Sequence, residues 1–199
     1  MDRIVLLITS LFLLSPVVVA QIAIKGHVVG ETFAEYVLKE GLDLGFCQHL
    51  AQLPPKDTRD LKNTQDQREA CRGLLVARNG GFAEVKQGDD WTAVFDGGKL
   101  AAISIMTVRD FAGAVEELTR KYGAVTEQTI IVVQNDYGCG FDTRHAKWFL
   151  ADGAAIVADE HLDYLTSFVG YERSVEIVFV SRDAVQQYGS GAREPTWRS

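Results

Sequence analysis

Apolar and polar positions follow two rhythms along this chain, one helical and one alternating. In ETFAEYVLKEG, residues Phe33, Val37 and Leu38 form a stripe at helical spacing, Thr32 and Glu35 stand at capping-box distance, and Gly41 supplies a stop. These predict a short helix. A second helix is predicted after Asp110, which can cap it: Phe111, Val115, Leu118 and Tyr122 recur at steps of four, three and four, Arg120 and Lys121 suit the negative end of the dipole, and Gly123 ends the pattern.

Elsewhere the pattern is short apolar runs punctuated by turn residues. Ile22, Ile24 and Val28-Val29 predict a first short strand with a turn at Lys25-Gly26. Between the helices, Leu74 to Ala77, Phe82 to Val85, Trp91 to Phe95 and Leu100 to Met106 read as a strand meander, and Asp96-Gly97-Gly98 is a strong hairpin signal because its central positions must accept positive φ. After the second helix, Thr129 to Gln134, Ala146 to Leu150, Ala154 to Asp159 and Val175 to Ser181 read as strands. Residues 48 to 70 lack sustained periodicity and read as a surface loop with one helical turn near 58 to 61. The expected class is α+β, an antiparallel sheet or sheets with helices on one face, in two helix-plus-meander units of residues 21–107 and 108–182, followed by a polar tail over 183–199. The order of elements does not decide between one continuous sheet and two packed ones.

The first twenty residues change the cellular picture. Residues 4 to 14, IVLLITSLFLL, are apolar but shorter than a membrane span requires, Pro16 interrupts them, and Val18 and Ala20 suit signal-peptidase cleavage. The reading is a signal peptide over 1–20, a mature chain from Gln21, and export to the periplasm or beyond the cell. An uncleaved anchor is the alternative, since Asp2 offsets Arg3. Export to an oxidising compartment permits one bridge among Cys47, Cys71 and Cys139. Cys47 and Cys71 flank a polar stretch whose ends must return to one core, so they are the expected pair, with Cys139 left over between Gly138 and Gly140.

Composition excludes several classes. With 47% hydrophobic and 24% charged residues in 199, the chain is neither disordered nor collagenous, and a formal charge of -7 argues against nucleic acid as a partner. The segments IKGHVVGETFAEYVLKEG, AVFDGGKLAAISI, FAGAVEELTRKYG and KWFLADGAAIVAD, with the paired cysteines, resemble a group of uncharacterised exported bacterial proteins across most of residues 22 to 181. More distantly the order is similar to the small barrel-assembly lipoprotein of the outer membrane and to the β-lactamase inhibitor protein. That resemblance implies a non-catalytic, envelope-located interaction module, although the chain has no lipobox cysteine.

Chemistry has few places to reside. Cys139, with Asp142 and His145 close in sequence and Arg144 available to lower a thiol pKa, makes a small thiol-dependent enzyme or a redox-sensitive protein using Cys139 with His145 the alternative function. Asp136, Asp142 and His145, or His161 with Asp159, Glu160 and Asp163, carry donors for a metal, but neither spacing matches a known ligand pattern, so no metal and no cofactor is expected. The glycine pairs lie between strands and read as turns, not phosphate cradles. Tyr164, Phe168 and Tyr171, in the strand connection ADEHLDYLTSFVGYERS, are the candidate docking residues for a protein partner; a loop that packs down its own aromatics is the bland alternative.

Overall fold

A computed structural model of the protein describes residues 23–52, 62–87, 91–107, 109–134, 140–164 and 171–188. The expected leader, Cys139, Phe168, Asp136 and the tail beyond Tyr188 lie outside the described residues. The chain enters through a small hairpin, β1 (Ala23–Ile24) and β2 (His27–Val28), and then turns into α1 (Phe33–Glu40). Both halves of the capping box are made: the Glu35 N–H donates to Thr32 Oγ1 at 3.3 Å, and the Thr32 N–H donates to the Glu35 carboxylate at 2.8 Å. Gly41 closes the helix at φ 62°, a left-handed position that costs glycine nothing.

The described parts of the stretch expected as a loop belong to two helices, α2 (Leu44–Gln52) and α3 (Lys62–Arg78), while the expected helical turn at 58 to 61 lies outside the described residues. Helix α3 also takes in Leu74 to Ala77, expected as a strand. The reason is visible in its burial: Cys71, Leu74 and Ala77 are buried at steps of three, one helical face, while its first half is polar enough to hide the period. Gly73 lets this helix approach the sheet, since a Cβ there would stand 2.9 Å from the Glu84 carbonyl oxygen. The sulfurs of Cys47 and Cys71 are at bonding distance, with Cα atoms 4.9 Å apart, so the expected bridge clasps α2 to α3. Replacing both cysteines with serine is expected to lower the unfolding free energy by about 3 kcal/mol, from loop-closure entropy. Urea unfolding checks this, and an unchanged midpoint would show that the bridge does not constrain the unfolded chain.

Seven strands follow: β3 (Ala83–Gln87), β4 (Trp91–Asp96) and β5 (Lys99–Thr107), then helix α4 (Phe111–Tyr122), then β6 (Glu127–Gln134), β7 (Gly140–Phe149), β8 (Ala155–Tyr164) and β9 (Tyr171–Val180). They form one antiparallel sheet in the order β3-β4-β5-β9-β8-β7-β6, so the last strand of each run meets the other at the centre. The fold is therefore α+β with a single continuous large sheet. Gly97 and Gly98, at φ 58° and 75°, make the tight β4–β5 turn, and the Asp110 carboxylate accepts from the Gly113 N–H at 2.7 Å to cap α4, both as the sequence predicts. The polar tail differs from expectation in its first part, which forms α5 (Arg182–Tyr188): Ser181 Oγ accepts from the Ala184 N–H, and Lys99 ties Asp183 to the β4–β5 turn.

Helices α1 to α4 share one core with one face of the sheet. Phe33, Tyr36, Leu50, Leu74, Phe111 and Leu118 from the helices pack with Phe95, Ile103, Trp148, Ile156 and Phe179 from the strands. Alternate residues Val94, Ala102 and Val178 form a smaller cluster on the second face. Among the described residues no helix is long and apolar enough to cross a membrane.

Candidate functional site

Strand alternation decides which of the candidate residues can act together. Asp142 and His145 both lie on β7, three residues apart, and so project from opposite faces of the sheet. His145 is buried on the second face, where its Nδ1 meets the carboxylate of Asp159, its directly paired residue on β8. Asp142 is exposed on the helix-bearing face, opposite Val132. The histidine and the aspartate of the proposed thiol site are thus not brought together, and Cys139 lies outside the described residues.

Next to His145 on the same face, Ser104 Oγ donates to Glu176 Oε1, and His161 Nε2 stands 3.2 Å from Glu176 Oε2. A hydrolytic triad needs the histidine between nucleophile and carboxylate. Here the carboxylate occupies the middle and bridges the serine and the histidine, which is not that order. Glu160, grouped with Asp159 and His161 by sequence, faces the other way. It is buried under α4, where Arg144 grips it as a fork, Nη2 to Oε1 at 2.7 Å and Nε to Oε2 at 3.0 Å, and Arg173 adds a contact at 2.9 Å. The Arg144 hydrogen bond holds the Glu160 carboxyl down to about 2, overcoming the opposing effect of burial, with Arg173 adding to it. The Arg144 guanidinium also lies 4.9 Å from the centre of the Phe111 ring.

A third polar cluster sits beneath the β1–β2 hairpin. Buried His27 has Nδ1 2.6 Å from Glu31 and Nε2 2.8 Å from Glu40, while its ring packs against Tyr36 and Trp91. Burial works against the Glu31 charge, but Lys39, the Val28 N–H and His27 together outweigh it and hold that carboxyl below its usual range. Burial pushes the Tyr36 hydroxyl up, and that hydroxyl accepts from Gln87 at 2.7 Å. All three clusters tie strand to strand or hairpin to helix. No three His, Cys, Asp or Glu side chains among the described residues converge as a metal-binding set.

The proposed docking residues Tyr164 and Tyr171 are a register pair at the ends of β8 and β9, so the described part of that connection is strand, while residues 165–170 lie outside the described residues. An apolar cleft of about 690 Å³ runs beside α1, lined by Phe33, Val37, Leu38 and Leu42 with Arg78 at its margin. A second exposed apolar feature is at the sheet edge. Strand β6 is outermost, and no described residue pairs with its free side. It exposes Ile130 by 67% and Val132 by 67% on the helix-bearing face and Ile131 by 46% on the other. Helix α4 packs over β7, β8 and β9, leaving these side chains uncovered.

Protein-family models, curated proteins and solved structures give no match to this chain.

The two sheet edges differ in kind. β3 is five residues long, carries Glu84 and Lys86 on its outward positions and has α3 packed against it, features that blunt an edge. β6 reads EQTIIVVQ, with no lysine or proline, and pairs with β7 through eight unbroken positions without a bulge. Among the described residues it has no such cover, and its one charge is Glu127 at the start. Sequence reading placed a strand here, but a run of four β-branched apolar residues looks like a strand buried on both faces. The signal that could have separated the two is the polar flank on each side, Glu127-Gln128-Thr129 and Gln134.

Proposed function

We propose that this protein is an exported binding module of the bacterial envelope, periplasmic or secreted, that engages a protein partner by strand addition along β6 and carries out no catalysis. The observation that carries this reading is the unprotected edge with Ile130, Ile131 and Val132 exposed on both of its faces. Main-chain hydrogen bonds from a docked strand would satisfy the free edge, and the alternating apolar side chains would select which strand docks. Export is supported by the apolar leader with its cleavage-like Val18 and Ala20, and by the Cys47–Cys71 bridge, which suits an oxidising compartment. The non-catalytic reading is supported by the Glu-centred order of Ser104, Glu176 and His161 and by the opposed faces of Asp142 and His145.

The test is site-specific photocrosslinking in the native envelope, with the probe placed at Ile130, Val132, Leu38 or Tyr171. Crosslinks are expected from the two β6 positions, and Ile131→Lys is expected to reduce them at least tenfold while leaving far-UV circular dichroism unchanged. Crosslinks that come from Leu38 or Tyr171 and survive Ile131→Lys would move the interface to the α1 cleft or to the β8–β9 hairpin and overturn the β6 reading.

A further inference from the structure

We infer that the β1–β2 hairpin is a strap closed by a proton on His27, held over Tyr36 and Trp91 in acid and released from α1 as pH rises, an inference independent of the β6 reading. The donors and acceptors around His27 carry it. Its Nδ1 stands 2.6 Å from Glu31 Oε1, its Nε2 stands 2.8 Å from Glu40 Oε1, and the ring is buried. Ionised carboxylates only accept, so two of them need two N–H donors, and only the imidazolium has both. In either neutral tautomer one ring lone pair points at a carboxylate oxygen with no proton between them, at a buried place where water does not take up the slack.

The charge count agrees. Around His27 and its partners stand Glu31 from the segment after the hairpin, Tyr36, Lys39 and Glu40 from α1, and Gln87 and Trp91 from β3 and β4, the last two with no charge to contribute. Glu35 is engaged at the Thr32 cap, Lys25 is exposed at the hairpin turn, and Glu84 and Lys86 alternate with Val85 and Gln87 and so project from the other face of β3. Lys39 and an imidazolium balance the carboxylates of Glu31 and Glu40, whereas the neutral ring leaves one negative charge over. Glu31 also holds Lys39 and the Val28 N–H, and Glu40 is the more exposed of the two carboxylates, so Glu40 is the one that turns to water when the proton leaves. That breaks the side-chain tie from the hairpin to α1. Residues 30 to 33 stay in place, because the Gly30 and Phe33 N–H groups donate to the Leu100 and Gly98 carbonyls and the Leu100 N–H donates to the Glu31 carbonyl. The moving part is therefore the hairpin itself, and lifting it uncovers the Tyr36 and Trp91 rings, whose centres lie 4.6 and 5.5 Å from that of the imidazole. The closed strap binds one proton more than the open one, so closure is favoured in acid and lost as pH rises.

Long-range nitrogen-15 correlation spectra of the full chain, with the Cys47–Cys71 bridge intact, read the proton directly. Both His27 nitrogens are expected at imidazolium shifts while the Val28 amide, which donates to Glu31 Oε2 at 3.0 Å, is protected from hydrogen exchange. An unprotonated ring nitrogen beside a protected Val28 amide would overturn the proposal. Glu40→Gln supplies a second arm, because its carboxamide N–H can donate to a neutral Nε2 and the strap then no longer needs the proton. Compared with this variant at the same pH, the parent's Val28 amide is expected to exchange equally near about pH 5 and at least about tenfold faster near about pH 8, either side of the ordinary imidazole range. Equal exchange in parent and variant at both pH values would overturn the proposal. Loss of far-UV circular dichroism by the parent over the same range would overturn it too, since His27 would then act on the whole fold and not on the hairpin.

Discussion

Trp148→Ala is expected to lower the unfolding free energy by about 4 kcal/mol, the largest single effect of any substitution considered for this protein. Trp148 is almost fully buried and sits where the two halves of the core meet: it is paired with Ile156, which is paired with Phe179, which is paired with Ile103. Truncating an indole at such a place loses its transfer free energy and leaves a void that strands on either side cannot close. The ring also does a second thing. Its Nε1–H donates to the Gly123 carbonyl at 3.1 Å, pinning the end of α4 to β7. The neighbouring Phe149→Ala is the control, because that ring is 55% exposed on the opposite face and its loss is expected to change stability by no more than about 0.5 kcal/mol. Urea unfolding of both variants checks the pair. Similar losses for the two would mean that the alternation assigned to β7 is wrong, and with it the faces assigned to Asp142, Arg144 and His145.

That alternation is also where sequence reading reached its limit. Local chemistry was legible: the Thr32–Glu35 box, the Asp110 cap, the Gly97-Gly98 turn and the Cys47–Cys71 pairing each depend on residues within a few positions or on one count of cysteines. Three things depended on neighbours distant in sequence. Helix α3 was hidden because its polar first half, KNTQDQREA, has no apolar period, and its helical state is fixed by the bridge to α2 and by packing on β3. The ends of β7, β8 and β9 were hidden because polar residues such as Asp142, Glu160 and Arg173 interrupt the apolar runs; Asp142 is exposed, and Glu160 is accommodated by cross-strand pairing with Arg144 and Arg173. The candidate site was least legible of all. Whether Ile130 to Val132 are core or surface is set by the order of strands, which puts β6 outermost, and sheet order is not written in any local window. Strand alternation was hidden in the same way at the Asp142 and His145 candidates, while Cys139 lies outside the described residues. Asp142 and His145 look adjacent in a loop and are opposed on a strand.

Acid is expected to cost this protein about 3 kcal/mol through Glu160 alone, and Glu160→Gln is expected to remove that dependence. The carboxyl titrates near 4.5 when the chain is unfolded and is held to about 2 in the fold, chiefly by the Arg144 hydrogen bond against the cost of burial. A depressed folded value means that the stabilisation is complete above pH 4.5, because both states are then ionised and only the folded one gains the arginines. It is lost as pH falls from 4.5 through 2, where the folded carboxyl takes up its proton and releases Arg144 and Arg173. The variant should therefore be about 3 kcal/mol less stable than the parent near neutrality, with the difference closing through that window. Urea unfolding at a series of pH values measures it, and parallel curves for parent and variant across the window would show that the pair does not stabilise the fold. The consequence reaches the sheet edge. Arg144 stands directly behind Ile130, and its grip on Glu160 fastens β7 to β8 one strand in from β6. Loosening that clasp removes the rigid backing of the exposed strand, so Glu160→Gln is also expected to weaken capture at Ile130 more than at Val132, whose backing residue Asp142 is not part of the clasp. Equal loss at both positions would mean that the charge pair acts on the whole edge through global stability, and not on the row it anchors.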